Sequence, residues 1–254
     1  MPPQLIFDLP LRTARGRGDF FISPANDLAV RTLDATPSWP GGKMLLVGPE
    51  GSGKTHLTHI WAEEAGAAIH PATRLPAEPT GPLAVEDIDM VAGDPDAETQ
   101  LFHLHNLVQA GGHALLMTAA LPPAALDWAL PDLKSRLLAT ATTALLPPDD
   151  ALLAQVLVKL FADRQLAVPP TLIPYLISRM DRSLSAAAVL VQALDTHALA
   201  TARPVTRALA AELGLSHSMV NRVWRSAGLK PHLSRTFKVS NDPRFIEKLE
   251  DVVG

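Results

Sequence analysis

The stretch Gly48-Pro49-Glu50-Gly51-Ser52-Gly53-Lys54-Thr55 fits the spacing G-x-x-x-x-G-K-[ST]. That spacing suits one chemistry, the cradling of nucleotide phosphates. Gly48, Gly51 and Gly53 let backbone N–H groups wrap phosphate oxygens, and Pro49, Glu50 and Ser52 fill the loop between them. Lys54 reaches towards the β- and γ-phosphates, and the Thr55 hydroxyl can ligate Mg²⁺. A glycine-rich turn matching by chance is the plainer alternative. Farther along, Leu83-Ala84-Val85 runs into Glu86-Asp87. A buried strand ending in two acids can set Glu86 near Mg²⁺ and Asp87 near an attacking water. Two solvated acids at a strand end would look the same. Asp89 reads as ordinary surface. His103 and His105 face opposite sides of a helix and read as structural or exposed, with no metal site.

These residues need elements to hold them. Met44 to Val47 forms a short apolar run ending at Gly48, as a buried strand would, and LTHIWAEEAG reads as a helix ended by Gly66. Leu83–Val85 is a second strand, ETQLFHLHNLVQAGG a helix and HALLMTAA a third strand lying between the other two. Strands alternating with helices imply an α/β layer with a parallel sheet. Thr118 is the polar candidate at the tip of the third strand for sensing a γ-phosphate, and a buried threonine satisfied by backbone is the alternative. Beyond Pro147-Pro148 the strand pattern gives way to helical apolar spacing, so residues 149–213 read as a small all-helical domain.

The chain has 254 residues, 47% hydrophobic and 19% charged, enough for one or two well-packed domains. It has no cysteine, which excludes disulfides and thiolate metal sites. No uninterrupted apolar run approaches the roughly 18 residues of a membrane helix, and the N-terminus lacks a secretory pattern. A cytoplasmic protein is expected. A net charge of −4 gives no sign of a surface built as a whole for nucleic acid.

Phe20-Phe21-Ile22-Ser23-Pro24-Ala25-Asn26, GPEGSGKT, LAVEDID, HALLMTAALPP, LPDLKSRL and SRMDRSLSAAAVLVQALD together resemble the AAA+ region of the replication initiator DnaA. They are more similar still to its short relative Hda, over roughly residues 1–213. The resemblance implies a P-loop AAA+ parallel sheet with flanking helices (20–148) and a helical lid (149–213). It implies ADP or ATP with Mg²⁺ as cofactors. In LPDLKSRL, Arg136 matches an arginine finger that enters a neighbour's nucleotide site. On the lid, Arg182 is the nearest match to a nucleotide-sensing arginine, with Ser185 as the alternative occupant. Ala120 stands where DnaA has an aspartate, and Glu86 replaces another. A protein that holds nucleotide and hydrolyses little itself is expected.

The same resemblance gives QLIFDLP a role. It is similar to the peptide that docks Hda on the DNA polymerase III β sliding clamp, with Gln4 as polar anchor and Leu5, Phe7 and Leu9 filling an apolar groove. Arg12–Gly18 would be the tether. Packing of this segment on its own domain is the alternative. The partners implied are DnaA, the clamp, and DNA through the clamp, and a homo-oligomer is compatible with them. The activity implied is hydrolysis of DnaA-bound ATP, stimulated on the DNA-loaded clamp.

Residues 214–254 depart from that pattern. They resemble the N-terminal helix-turn-helix of mariner-like insertion-sequence transposases, with Arg222, Arg225, Lys230, Arg235 and Lys238 as a local basic patch. The segment reads either as a fusion remnant without function or as a residual DNA-binding tail. The second would make the chain a P-loop ATPase acting as a loader or transposition helper.

Overall fold

The computed structural model describes residues 20–213. The clamp-peptide candidates Gln4, Leu5, Phe7 and Leu9 and the tail 214–254 lie outside the described residues. Five parallel strands form one sheet: β1 (Lys43–Val47), β2 (Ala68–Pro71), β3 (Leu83–Glu86), β4 (Leu115–Ala119) and β5 (Thr142–Ala144), in the order β2-β3-β4-β1-β5. As expected, β4 lies between β3 and β1, with Leu46 opposite Thr118 and Val47 opposite Ala119.

Period-two alternation divides the strands between two apolar layers. Leu45, Val47, Val85, Leu115 and Met117 pack on one face with helix α3 (Pro95–Ala110) and helix α4 (Pro131–Ala139). Met44, Leu46, Ala84 and Leu116 pack on the other with α1 (Asp27–Asp34) and α2 (Lys54–Ala65). Both faces are covered, so the inner strands read as continuous apolar runs. The edge strands do not. β2 is Ala-Ile-His-Pro and half exposed, and β5 is Thr-Thr-Ala, which is why neither was expected from hydropathy.

Local signals set the helix ends. Gly66 closes α2 in a left-handed conformation, its N–H donating to the Ala62 carbonyl. Asp94 caps α3 by accepting from the N–H groups of Asp96 and Ala97, with Pro95 at the first helical position. Ahead of α1, Asn26 accepts from the Ser23 N–H at 2.8 Å and donates to the Phe21 carbonyl at 2.8 Å, which fixes the Phe20–Asn26 segment.

A second core belongs to the lid: α5 (Asp150–Asp163), α6 (Leu172–Ile177), α7 (Leu184–Thr201) and α8 (Arg207–Glu212). Leu209 and Ala210 of α8 are fully buried in that core. By length and composition α7 is apolar enough to cross a membrane. Here, however, Ala187, Val191 and Leu194 are enclosed in the lid core.

Candidate functional site

β1 delivers the chain to the phosphate loop at Gly48, a tight passage. A Cβ there would lie 2.8 Å from the Leu145 carbonyl and 2.9 Å from Ser52 Oγ. Gly51 and Gly53 take φ of +71° and +103°, conformations that glycine adopts without strain. Lys54 opens α2, and its ammonium folds back over the loop, donating to the carbonyls of Gly48 (2.7 Å) and Pro49 (3.2 Å). Burial lowers the Lys54 pKa, opposed by the negative charges of Asp87, Asp89, Glu50 and Glu86. The Thr55 side chain is exposed in the first turn of α2.

The acids come from the end of β3. Glu86 is its last residue, and its Oε1 is buried with no hydrogen-bond partner among the described residues. An orphaned carboxylate oxygen at the end of β3, close enough to act on the Lys54 charge, is a donor suited to a hard divalent cation. Asp87 follows at φ +57°, ψ +54°, an uncommon conformation for a residue with a side chain. Its N–H donates to Thr118 Oγ1 at 2.9 Å. Thr118, fully buried, thus holds the backbone of Asp87. Asp89, expected at the surface, is half-buried and accepts from the Ala120 N–H at 3.1 Å, tying the end of β4 to the acidic loop.

The lid closes over the same loop. The Leu184 N–H at the start of α7 donates to the Gly51 carbonyl at 2.7 Å. Ser183 Oγ caps α7 through the Ala186 N–H and lies 2.7 Å from Ser185 Oγ. A Cβ on Gly51 would run into Ser183 Oγ, so glycine is required by the lid as well as by the loop. The residues facing the phosphate loop are Ser183 and Ser185. Arg182 points elsewhere: its guanidinium contacts Asp150 Oδ1 at 2.7 Å and the Pro148 carbonyl at 3.4 Å. The guanidinium proposed for nucleotide sensing is held at the entrance to α5.

Sequence reasoning missed an apolar slot beside the loop. Phe20, His56, Leu152, Val156 and Leu184 line it, drawn from the N-terminal segment, α2 and two lid helices. Phe20 and His56 meet edge to face at 5.2 Å. A flat heterocycle joined to phosphates held at Gly48–Thr55 would find apolar cover there. The clue was Phe20-Phe21 before the first helix, but only the fold brings it to His56.

Arg136 lies at the other end of the sheet. It is exposed on α4, its guanidinium 4.9 Å from the centre of the Phe102 ring, and it shares a cleft with Lys43, the first residue of β1. Gly48 follows the last residue of β1, about 16 Å away at the usual rise per residue. Arg136 and the phosphate loop of the same chain are therefore not brought together. Glu98, a buried acid that the sequence did not single out, sets the entry to α4. Its carboxylate accepts from the N–H groups of Gly93 (2.7 Å), Ala129 (2.9 Å) and Leu130 (2.7 Å).

No protein-family model matches the chain. It is 28% identical to the chromosomal replication initiator protein DnaA 2 of Chlamydia caviae over a 137-residue alignment, covering 42% of this chain and 30% of that protein. The match thus spans less than a third of that relative's length. Domain III of the Thermotoga maritima replication initiation protein DnaA superposes with a TM-score of 0.67 at 17% identity, covering 88% of this chain and all of that one. The chain folds as a DnaA-like AAA+ domain. AMPPCP-bound DnaA from Aquifex aeolicus superposes with a TM-score of 0.59 at 16% identity, over 69% of this chain and 63% of the other. The parallel sheet with flanking helices is the AAA+ P-loop fold, and the phosphate loop described above is part of that AAA+ domain.

Proposed function

We propose that this protein is a DnaA-related regulator of replication initiation. In this reading it holds ADP or ATP in its own loop and lends Arg136 to the nucleotide site of DnaA. The carrying observation is the place of Arg136, exposed and a strand length from the phosphate loop of its own chain. A guanidinium so placed does not reach the nucleotide of its own chain and suits one held by a neighbour, where it would neutralise charge developing on the transferred phosphoryl group.

For its own nucleotide, backbone N–H groups of Gly51–Gly53 and the Lys54 ammonium bind the phosphates, exchanging the loop carbonyls for phosphate oxygens. The slot at Phe20 and His56 takes the base. Thr55 and Glu86 would hold Mg²⁺, which supplies neutralisation of phosphate charge. Thr118 fixes Asp87, the candidate for orienting water. Hydrolysis by this chain is slow because Ala119 and Ala120 bring no polar group to the phosphates and the lid brings serines instead of an arginine. QLIFDLP docks the protein on the sliding clamp through Gln4, Leu5, Phe7 and Leu9, giving access to DNA in a cytoplasmic setting.

The test is single-turnover hydrolysis of DnaA-bound ATP in the presence of clamp loaded on DNA. The native chain should accelerate hydrolysis and Arg136→Ala should not. Equal rates from the two would end the finger assignment. Gln4→Ala with Leu5→Ala should abolish retention by the purified clamp.

A further inference from the structure

The cleft around Arg136 contains more than a finger. Lys43 from β1, His105 from α3 and Arg136 from α4 line it together, with Pro40–Gly41 and Thr140 completing the wall. Lys43 is 8% exposed, and among the described residues its ammonium has a single hydrogen-bond partner, the neutral Gln109 Oε1 at 2.7 Å. His105 is 2% exposed, and neither ring nitrogen has a hydrogen-bond partner among the described residues. Among the described residues no carboxylate pairs with any of the three, and none lines the cleft. Buried cations are ordinarily matched by an anion, and buried ring nitrogens by a hydrogen-bond partner. Both demands are open at one place.

We infer that Lys43, His105 and Arg136 form a phosphoanion-binding site, in which the ammonium and guanidinium supply charge and the imidazole donates a hydrogen bond. A tetrahedral dianion offers enough acceptors for all three donors. Its source is either a terminal phosphate on a neighbouring subunit's nucleotide, which rests on the reading of Arg136 given above, or free inorganic phosphate, which does not. Low occupancy of charge on His105 in the empty cleft fits this arrangement: burial, with Lys43 and Arg136 adding, lowers its pKa to about 4. A bound dianion would reverse part of that.

The experiment is a titration of the full chain with potassium phosphate against potassium chloride at equal ionic strength. It is followed by the side-chain ¹H–¹⁵N signals of His105 and by calorimetry. Phosphate should shift the imidazole signals saturably and raise the pH at which the ring titrates. Lys43→Met, which keeps a long apolar stem, should weaken binding about tenfold or more. Arg136→Gln should do the same, and being exposed it tests the site even where the Lys43 variant does not fold. A ring unmoved by phosphate, or an Arg136→Gln chain saturating at the native concentration, overturns the site. Neither result touches the finger reading, which is judged by partner hydrolysis. If Lys43→Met slows that hydrolysis as well as phosphate binding, the anion is the neighbour's nucleotide. If it weakens only phosphate binding, the site serves free phosphate.

Discussion

At the C-terminal end of β1, Lys54 stands in the field of Asp87, Asp89, Glu50 and Glu86; at the N-terminal end, Lys43 stands beside Arg136 and His105 with no acid in the cleft among the described residues. Burial lowers the pKa of both lysines, but acids oppose the shift at Lys54, whereas Arg136 deepens it at Lys43. The loop end therefore carries its own counter-charges and can form a complete site within one chain. The far end is lined by basic groups without a carboxylate among the described residues, the feature on which the anion-site proposal rests. One strand thus joins a lysine balanced by acids to a lysine set among other basic groups.

That contrast can be broken most sharply by Arg136→Ala. Loss of the guanidinium should cost about 10³- to 10⁵-fold in single-turnover hydrolysis on the partner. The affinity of this chain for its own nucleotide, read with a fluorescent analogue, should stay within about twofold because the two ends do not meet. A large loss of own-nucleotide affinity would mean that they do.

Lys54→Ala makes the reciprocal cut. Losing one charge-assisted contact should weaken nucleotide binding about 10- to 150-fold in the same fluorescence titration. Phosphate binding at the far end should not change.

The pH dependence of folding carries a signature of the cationic end, isolated by comparing the native chain with a His105 variant. His105 is held neutral, with a folded pKa of about 4 against an ordinary 6.5. Between those values the unfolded chain binds the extra proton and the folded chain does not. Stability should therefore fall as pH is lowered through this window, by up to about 3 kcal/mol. Denaturant unfolding between pH 7 and 4, compared with His105→Leu, should show a flatter profile in the variant.

The smallest effect concerns the frame that aims α4. In Glu98→Gln the amide offers one acceptor oxygen to three backbone N–H groups, at a cost of about 1–3 kcal/mol. Calorimetry should show a drop in Tm of about 2–10 °C, with nucleotide affinity unchanged.

What could be read in advance follows a physical divide. The inner strands announced themselves because both of their faces are buried, and β2 and β5 stayed hidden because each has one neighbour and few apolar residues. Thr118 was weighed between sensing and backbone satisfaction, and its bond to the Asp87 N–H gives it a backbone-holding task. At the lid the resemblance offered Arg182 as the nearest match to a nucleotide-sensing arginine, with Ser185 as the alternative occupant. In the structure the cap and first turn of α7 present Ser183 and Ser185 to Gly51, while Arg182, one residue before the cap, reaches Asp150.

By itself, the order of residues determined the phosphate loop and the helix it opens, because glycine torsions, a lysine at the helix start and a preceding apolar strand act within about ten neighbouring positions. It also determined the alternation of buried strands with helices, because burial on both faces leaves its mark on every residue of a strand. Tertiary structure alone decided which side chains from distant segments share a space: Phe20 with His56, Ser183 with Gly51, and Lys43 with His105 and Arg136. Those meetings depend on how the sheet, its covering helices and the lid pack against one another, and packing is a property of all the elements at once.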